Sequence, residues 1–533
     1  MPWAETDTAP RPRLGPVVAW RSDGIMTGVK GFRRRRIRPL ARAKRFVDVV
    51  PELVAAVDAG RPHAVQDLCV VLVNVVTHDG LAERALDALA SGRPTLWLDL
   101  DPMMRHPWYG YSGPVPRGRV SVVREPANPL AVALRACSPD GHRREQAVRD
   151  AVMRTDPRLL PVLLIRAADW VEEVRAAALE TLALVLTEVA TSDLLSLVPV
   201  AVRLGDRRRG GCALASVRSA LVRADDETLA TMRDCADLRA RRFAYEISLD
   251  RDRLPESDLV AAALGEADVV SRIRCAEAIS RMDRPDLLAR LLAARSARVR
   301  AVALTGLVRL GRPEHGSRFL GDPSTVTRLT AQWAVRRAGG DPAHIYRRLL
   351  AGRPGPEVRN LIAGLADCGG GADADLVRPY LADPRPRVRA EAVRTLHRLG
   401  APMDLVALLG DPSPVVVRRA AAALRDSGVP ADRLWPLLDT TRPRHVRQAA
   451  HRLLSGADDW TRLKADLTLV GDADASLRRR ARDDLAAWRE NKAPTLYTKP
   501  PEPLRDELTA LIDIAETSLG PGGAAGLRWF LSQ

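Results

Sequence analysis

Asp383–Gly400 reads DPRPRVRAEAVRTLHRLG, and much of the chain repeats its outline. An Asp-Pro turn comes first, then Val388-Arg389, then Ala392, then a closing Gly400. A Val, Ile, Thr or Leu followed by Arg recurs at Ile273-Arg274, Val299-Arg300, Thr327-Arg328, Val358-Arg359, Val388-Arg389, Val417-Arg418, Val446-Arg447 and Leu477-Arg478. Successive spacings are 26, 28, 31, 30, 29, 29 and 31 residues, and a period of that size marks a stacked array. An earlier unit stands at Val174-Arg175, and Arg207–Leu254 leaves room for degenerate ones.

Each position in the unit has a physical task. An Asp lies six residues before the Arg at Asp169, Asp268, Asp322, Asp383 and Asp472, where it is expected to cap the following helix. Ala303, Ala331, Ala392, Ala421, Ala450 and Ala481 follow three after the Arg and let neighbouring helices approach closely. Gly311, Gly339, Gly369, Gly400, Gly428 and Gly456 come nine to eleven after it, as helix terminators. A second apolar segment precedes each Asp, as in Asp375–Asp383 (DLVRPYLAD), so one unit is a helical hairpin. A hairpin cannot bury its apolar face alone and must stack on its neighbours.

These residues resemble HEAT repeats, in the short form also seen in phycobilin lyase-like proteins, over about residues 140–490. The resemblance implies a mainly α fold, a right-handed α-α superhelical solenoid whose second helices line a concave groove. It also implies that the Asp and Arg form a ladder between adjacent repeats. Asp383 with Arg389, and Asp322 with Arg328, would then be structural rather than catalytic. Asp411 departs from the spacing by one place, and Thr327 replaces the apolar residue.

The second helices carry further arginines late in their length, among them Arg309, Arg336, Arg337, Arg398, Arg425 and Arg452. On a concave wall these form a basic stripe, as in helical-repeat DNA alkyl-base glycosylases. The plainer reading is that cations favour helix C-termini, by about 0.3–1 kcal/mol each. Trp333 and Trp435 are groove aromatics by residue type alone.

Net charge is +16, of which residues 1–50 carry half, concentrated in nine basic residues within Lys30–Arg45. Arg33, Arg34, Arg35 and Arg36 lie at its centre and are candidates for a polyanion contact. Five lysines stand against seventy-seven arginines, a bias that suits a G+C-rich bacterial genome and raises arginine everywhere. Six scattered cysteines form no C-x-x-C pair, so reduced thiols and no zinc knuckle are expected. His445 and His451, the nearest histidine pair, are six apart and share a helix face poorly. No metal or cofactor is expected. The longest apolar run, Leu68–Val76, is too short to span a bilayer, and the N-terminus carries no secretion pattern, so the expected compartment is cytoplasmic.

Residues 1–138 read as an α/β head with a small parallel sheet. Gln66–Val76, Pro94–Asp101 and Val120–Glu125 are expected strands, Leu81–Gly92 and Asn128–Cys137 helices, and Pro16–Asp23 a further strand. This order resembles the second half of a Toll/interleukin-receptor-like domain. The resemblance implies a Glu at the ribosyl centre of a nucleotide, and Glu83 is the residue near that place. Trp97, Trp108, Tyr109 and Tyr111 crowd a loop region beside Asp99, Asp101 and His106, at the strand ends where open α/β sheets bind ligands. Asp99, Asp101, Trp108 and Tyr109 are therefore ligand-loop candidates, set against a loop that simply packs on the first repeat.

Ser138–Gly141 is the expected junction to a repeat region over 139–490, followed by a Pro-rich linker and a capping helix within 491–533. Met26 is an alternative start. The function expected from this organisation is a non-enzymatic interaction scaffold, holding a protein partner or other macromolecule along the groove. Nucleic-acid binding through Arg33–Arg36 and the groove arginines is the first alternative. NAD or nucleotide glycohydrolase activity at Glu83 is the second.

Overall fold

The Val-Arg segments are helices. Ala297–Arg309, Thr325–Arg337, Val358–Cys368, Pro386–Arg398, Pro414–Leu424, Arg444–Leu454 and Ala475–Ala487 each carry one beat of the repeat. The structure, a computed structural model, describes residues 39–105, 128–352, 355–425 and 427–532. The chain divides into two compact units, Met1–Arg251 and Asp252–Gln533. Among the described residues there are helices and turns but no strand, and no helix long and apolar enough to cross a membrane.

In the second unit the Val-Arg helices pack in series, each against the next from Val269–Arg281 through Arg444–Leu454. Val299, Ala303, Ala331, Val388, Ala392, Val446 and Ala450 are all buried along this seam. The segment before each Asp varies. Glu256–Gly265, Pro285–Leu291 and Pro342–Ala351 are α-helical, whereas Ala407–Gly410 and Trp435–Leu438 are short 3₁₀ turns. Only ten residues separate Gly400 from Asp411, and ten separate Gly428 from Asp439, too few for a full helix with its connections. Glu502–Leu519 follows the last repeat and packs against Asp459–Leu469 and Pro521–Ser532.

Close approach shows most sharply at Gly364. A Cβ there would lie 2.2 Å from Tyr346 Cζ. Tyr346 is fully buried, and its hydroxyl donates to Leu320 O at 2.8 Å. Gln332 Nε2 donates to Tyr346 Oη at 3.3 Å and to Gly364 O at 3.2 Å, so the tyrosine and the glycine backbone are held together. Gly364→Ala is therefore expected to cost roughly 1–3 kcal/mol through overpacking. A urea midpoint unchanged from the parent protein would show that this contact tolerates a methyl group.

The turn aspartates act differently from the expected helix caps. Asp322, Asp383, Asp411 and Asp472 accept the N–H two residues on, at 2.7–2.8 Å, closing a turn just before the helix. Asp268 is the one that caps in the expected manner, accepting from Ser271 N at 2.9 Å. Gly311, Gly339 and Gly400 take positive φ just past their helix ends as anticipated, Gly428 takes positive φ four residues after its helix ends at Leu424, and Gly369 ends one with φ −85.

The first unit corrects the α/β expectation. Gln66–Val76 lies almost wholly within a helix, Ala64–Val75, with Leu68, Val71, Leu72 and Val75 buried. Those burials step by three and four, the spacing of one helix face, so packing overrides the β preference of the valines. Pro94–Asp101 enters a second helix, Leu96–Met104, burying Leu96, Trp97, Leu100 and Met104. What resembled strand alternation there is a helix with one buried carboxylate, Asp101. Leu81–Gly92 and Asn128–Cys137 are helical as read, over Asp79–Ala90 and Pro129–Ala136. Pro16–Asp23, Val120–Glu125, Arg33–Arg36, His106, Trp108, Tyr109 and Tyr111 lie outside the described residues. One apolar core runs from Val47 to Ile247, straight across Ser138–Gly141.

Candidate functional site

The repeat arginines are tied down first. Arg300 donates to Ala294 O and Arg295 O behind it and reaches both oxygens of Asp322 in the next repeat at 2.8 Å. Arg389 does the same with Asp383 O, Pro384 O and both oxygens of Asp411, the last pair at 2.9 Å. Arg447 continues the pattern to Asp472 at 2.9 Å. Each of these three rungs thus joins an arginine to the following repeat's aspartate, while backbone carbonyls five to seven residues earlier hold the guanidinium from behind, Asp383 O among them. Burial alone would lift Asp411's carboxyl, but hydrogen bonds from Arg389 and Ser413 N–H outweigh it and hold it below its ordinary range. The ladder is structural.

The rung out of the Asp411 repeat is missing. Arg389 stands six after Asp383, and the equivalent place after Asp411 belongs to Val417, which is fully buried. Arg418 falls one residue later, on the exposed side, with its Nε donating to Pro414 O at 3.2 Å. A cleft of about 430 Å³ opens there between Pro414–Leu424 and Arg444–Leu454. Arg418 and Arg425 line it from one helix, and Arg444, His445, Gln448 and Arg452 from the other. Among the described residues lining it, none is acidic. Its floor is apolar, formed by Ala421, Ala449 and Leu453.

The cationic lining is unevenly committed. Arg444 Nε lies 3.5 Å from Asp474 Oδ1, a loose and exposed pairing. His445 Nε2 sits 3.1 Å from Asp411 O; because a carbonyl can only accept, this nitrogen carries the proton, and the ring is held in place. Arg425 and Arg452 are exposed, and among the described residues neither meets a carboxylate. Three of the remaining stripe arginines are engaged elsewhere. Arg309 donates to Ser280 O at 2.7 Å, and Arg398 Nη1 reaches Asp367 Oδ1 at 2.7 Å. Arg336 is exposed at its helix end, and Arg337 lies 5.8 Å over the Trp333 ring. Trp435 is covered by Lys464, whose Nζ stands 4.3 Å from the ring centre. So of six stripe arginines named from sequence, two meet in one cleft, and Arg418 and Arg444 join them. The signal for Arg418 was available: its Asp-to-Arg spacing is seven rather than six.

In the first unit Glu83 sits half-exposed on Asp79–Ala90, its carboxylate 2.7 Å from Arg158 Nη1. Asp99 pairs with Arg93 at 2.5 Å on the surface. Asp101 is buried between Arg105 Nε at 3.0 Å and Arg166 Nη2 at 2.5 Å. These three carboxylates hold arginines.

The sequence profile of the family described as HEAT repeats matches residues 374–455. The match spans the helices Pro386–Arg398, Pro414–Leu424 and Arg444–Leu454, and the cleft lies inside it, between the last two. No curated protein matches the chain in sequence. Solved structures that align with it include importin beta in an ammonium sulfate condition, at 12% identity and a TM-score of 0.34, over 93% of this chain and 70% of that one. Kap121p bound to Pho4p aligns at 14% identity and a TM-score of 0.24, over 93% of this chain. The chain spans about half, 53%, of the length of Kap121p.

Proposed function

We propose that this chain is a non-enzymatic HEAT-repeat scaffold that docks an acidic segment of a partner protein in the cleft between Pro414–Leu424 and Arg444–Leu454. The observation that carries this reading is the convergence of Arg418, Arg425, Arg444 and Arg452 on an apolar floor with no acidic residue among the described lining. Four like charges held together repel, and an acidic side chain or chain terminus relieves that repulsion. The guanidinium fork suits carboxylates, which it can grip through two parallel hydrogen bonds. Apolar Ala421, Ala449 and Leu453 give such a segment something to lie on.

A nucleic acid would need uncommitted cations along several repeats to follow its evenly spaced phosphates. Arg309 and Arg398 already hold Ser280 and Asp367, so two cations of the stripe are committed, and the grouping of four arginines at the cleft favours a short acidic segment. The test is anisotropy of a fluorescent ten-residue Glu-rich peptide against its Gln-substituted counterpart and a ten-nucleotide single strand. The Glu peptide is expected to bind, and to weaken as salt rises from 50 to 300 mM, roughly as the Debye length shrinks. Equal retention of the Gln peptide, or stronger binding of the nucleotide strand, would overturn the acidic-segment reading.

A further inference from the structure

On another face of Arg444–Leu454 lies a polar cluster that docking does not use. His451 is buried beneath that helix, and its Nε2 is 2.6 Å from Asp466 Oδ1 on Asp459–Leu469. Asp484 on Ala475–Ala487 completes a group whose ligand atoms all lie within 4.8 Å of one another. Asp466 is fully buried, and its second oxygen, Oδ2, has no hydrogen-bond partner. Arg462 Nε, also buried and without a partner, faces that oxygen at 3.9 Å, beyond hydrogen-bond reach. Arg462 Nη2 is as loosely placed against Asp484, at 3.8 Å.

We propose that His451, Asp466 and Asp484 bind one divalent transition-metal ion of the zinc class. The site is independent of the acidic-segment reading. One imidazole and two carboxylates form a mixed nitrogen and oxygen donor set that zinc accepts, leaving a fourth position for water. Ligand atoms around a tetrahedral zinc lie roughly 3.3 Å apart, so the His–Asp pair opens and Asp484 swings inward on binding. Arg480 Nε donates to Asp484 Oδ2 at 3.1 Å and orients the carboxylate from outside, as outer-shell partners do. A Ser–His–Asp relay does not account for the cluster. Ser455 Oγ, at 3.5 Å, and Asp466 both face Nε2, whereas a relay needs them on opposite ring nitrogens. The three ligands come from three successive helices, so the ion acts as a clip at the end of the repeat array.

The test uses tag-free full-length protein carrying Cys212→Ser, because Cys212 is an exposed thiol that would itself take up zinc. After chelation and dialysis, Zn²⁺ is titrated, and Co²⁺ is substituted as a spectroscopic probe. Expected are one equivalent of Zn²⁺ per chain, a rise in thermal midpoint, and a cobalt visible band of four-coordinate intensity. Asp466→Asn and His451→Gln should each weaken zinc binding at least tenfold. Asp484→Asn, at a partly exposed position, should do the same without loss of fold, with helicity by circular dichroism as the check. Zinc uptake equal in the parent and in folded Asp484→Asn, or no uptake by the parent, removes the site and leaves a buried His–Asp hydrogen bond.

Discussion

Asp169→Ala is expected to destabilise the first unit by about 3–5 kcal/mol, the usual cost of stripping one partner from a buried ionic network. Asp169 accepts from Arg144 at 3.0 Å on both oxygens, and from Arg166 Nη1 at 2.9 Å. Arg144 and Arg166 are fully buried. Among the described residues, Arg105, Arg144 and Arg166 pair with just two carboxylates, Asp101 and Asp169. Removing one leaves three guanidiniums around a single carboxylate, with two of them cut off from water. Trp170 lies 4.4 Å from Arg105 and 4.5 Å from Arg144 across its ring face, and contributes much less than a formal charge. Asp169→Asn keeps the shape and loses the charge, so most of the effect should persist. Urea denaturation with hydrogen exchange on Gly141–Arg149 and Glu172–Glu188 measures it. A loss below about 0.5 kcal/mol, the range of ordinary surface changes, would mean the network relaxes freely.

The same carboxylate sets an acid limit. Burial raises Asp169, but Arg144, Arg166 and the Val171 N–H outweigh it, so its folded pKa lies below the unfolded one. A depressed carboxylate gives stability above its unfolded pKa of about 4 and loses it as pH falls through the folded value. The gap between Asp169→Asn and the parent protein should therefore be widest at neutral pH and close progressively below about pH 4.

Arg425→Glu with Arg452→Glu is expected to weaken acidic-peptide binding roughly 10–100-fold at 50 mM salt. Each reversal replaces an attraction with a repulsion, and an exposed pair contributes about 0.2–1 kcal/mol, so two reversals approach that range. Folding stability should change by less than about 0.5 kcal/mol, because both side chains are exposed and neither holds a carboxylate among the described residues. Arg309→Glu and Arg398→Glu form the control pair. Their partners Ser280 and Asp367 tie them to the scaffold, so they should cost stability and leave peptide affinity nearly unchanged. Equal losses of affinity from the two pairs would spread binding along the whole stripe and dissolve the cleft as a distinct site.

Much of the architecture was legible because a repeat states its instructions several times. Val388-Arg389, Ala392 and Gly400 reappear at nearly one period, and the copies at Val299-Arg300, Val388-Arg389 and Val446-Arg447 share one fate: buried valine, rung arginine, buried alanine. The head was misread for the opposite reason. Gln66–Val76 occurs once, its valines favour strand, and nothing local outweighs them. The burial of Leu68, Leu72 and Val75 against neighbouring helices is a property of the assembled core. Asp101 added to the error, since a polar residue at an alternate place mimics an exposed strand face when one of its two arginine partners, Arg166, is 65 positions away.

The period of the hydrophobic beat, the small residue that follows it and the glycine that ends it were determined by the sequence alone, because helical periodicity and backbone freedom are local properties. Tertiary structure decided which arginines stay available. A guanidinium is neutralised by whichever carboxylate the fold brings within 3 Å, and for Arg389 that is Asp411 in the next repeat, while Val417 leaves Arg418 facing the cleft.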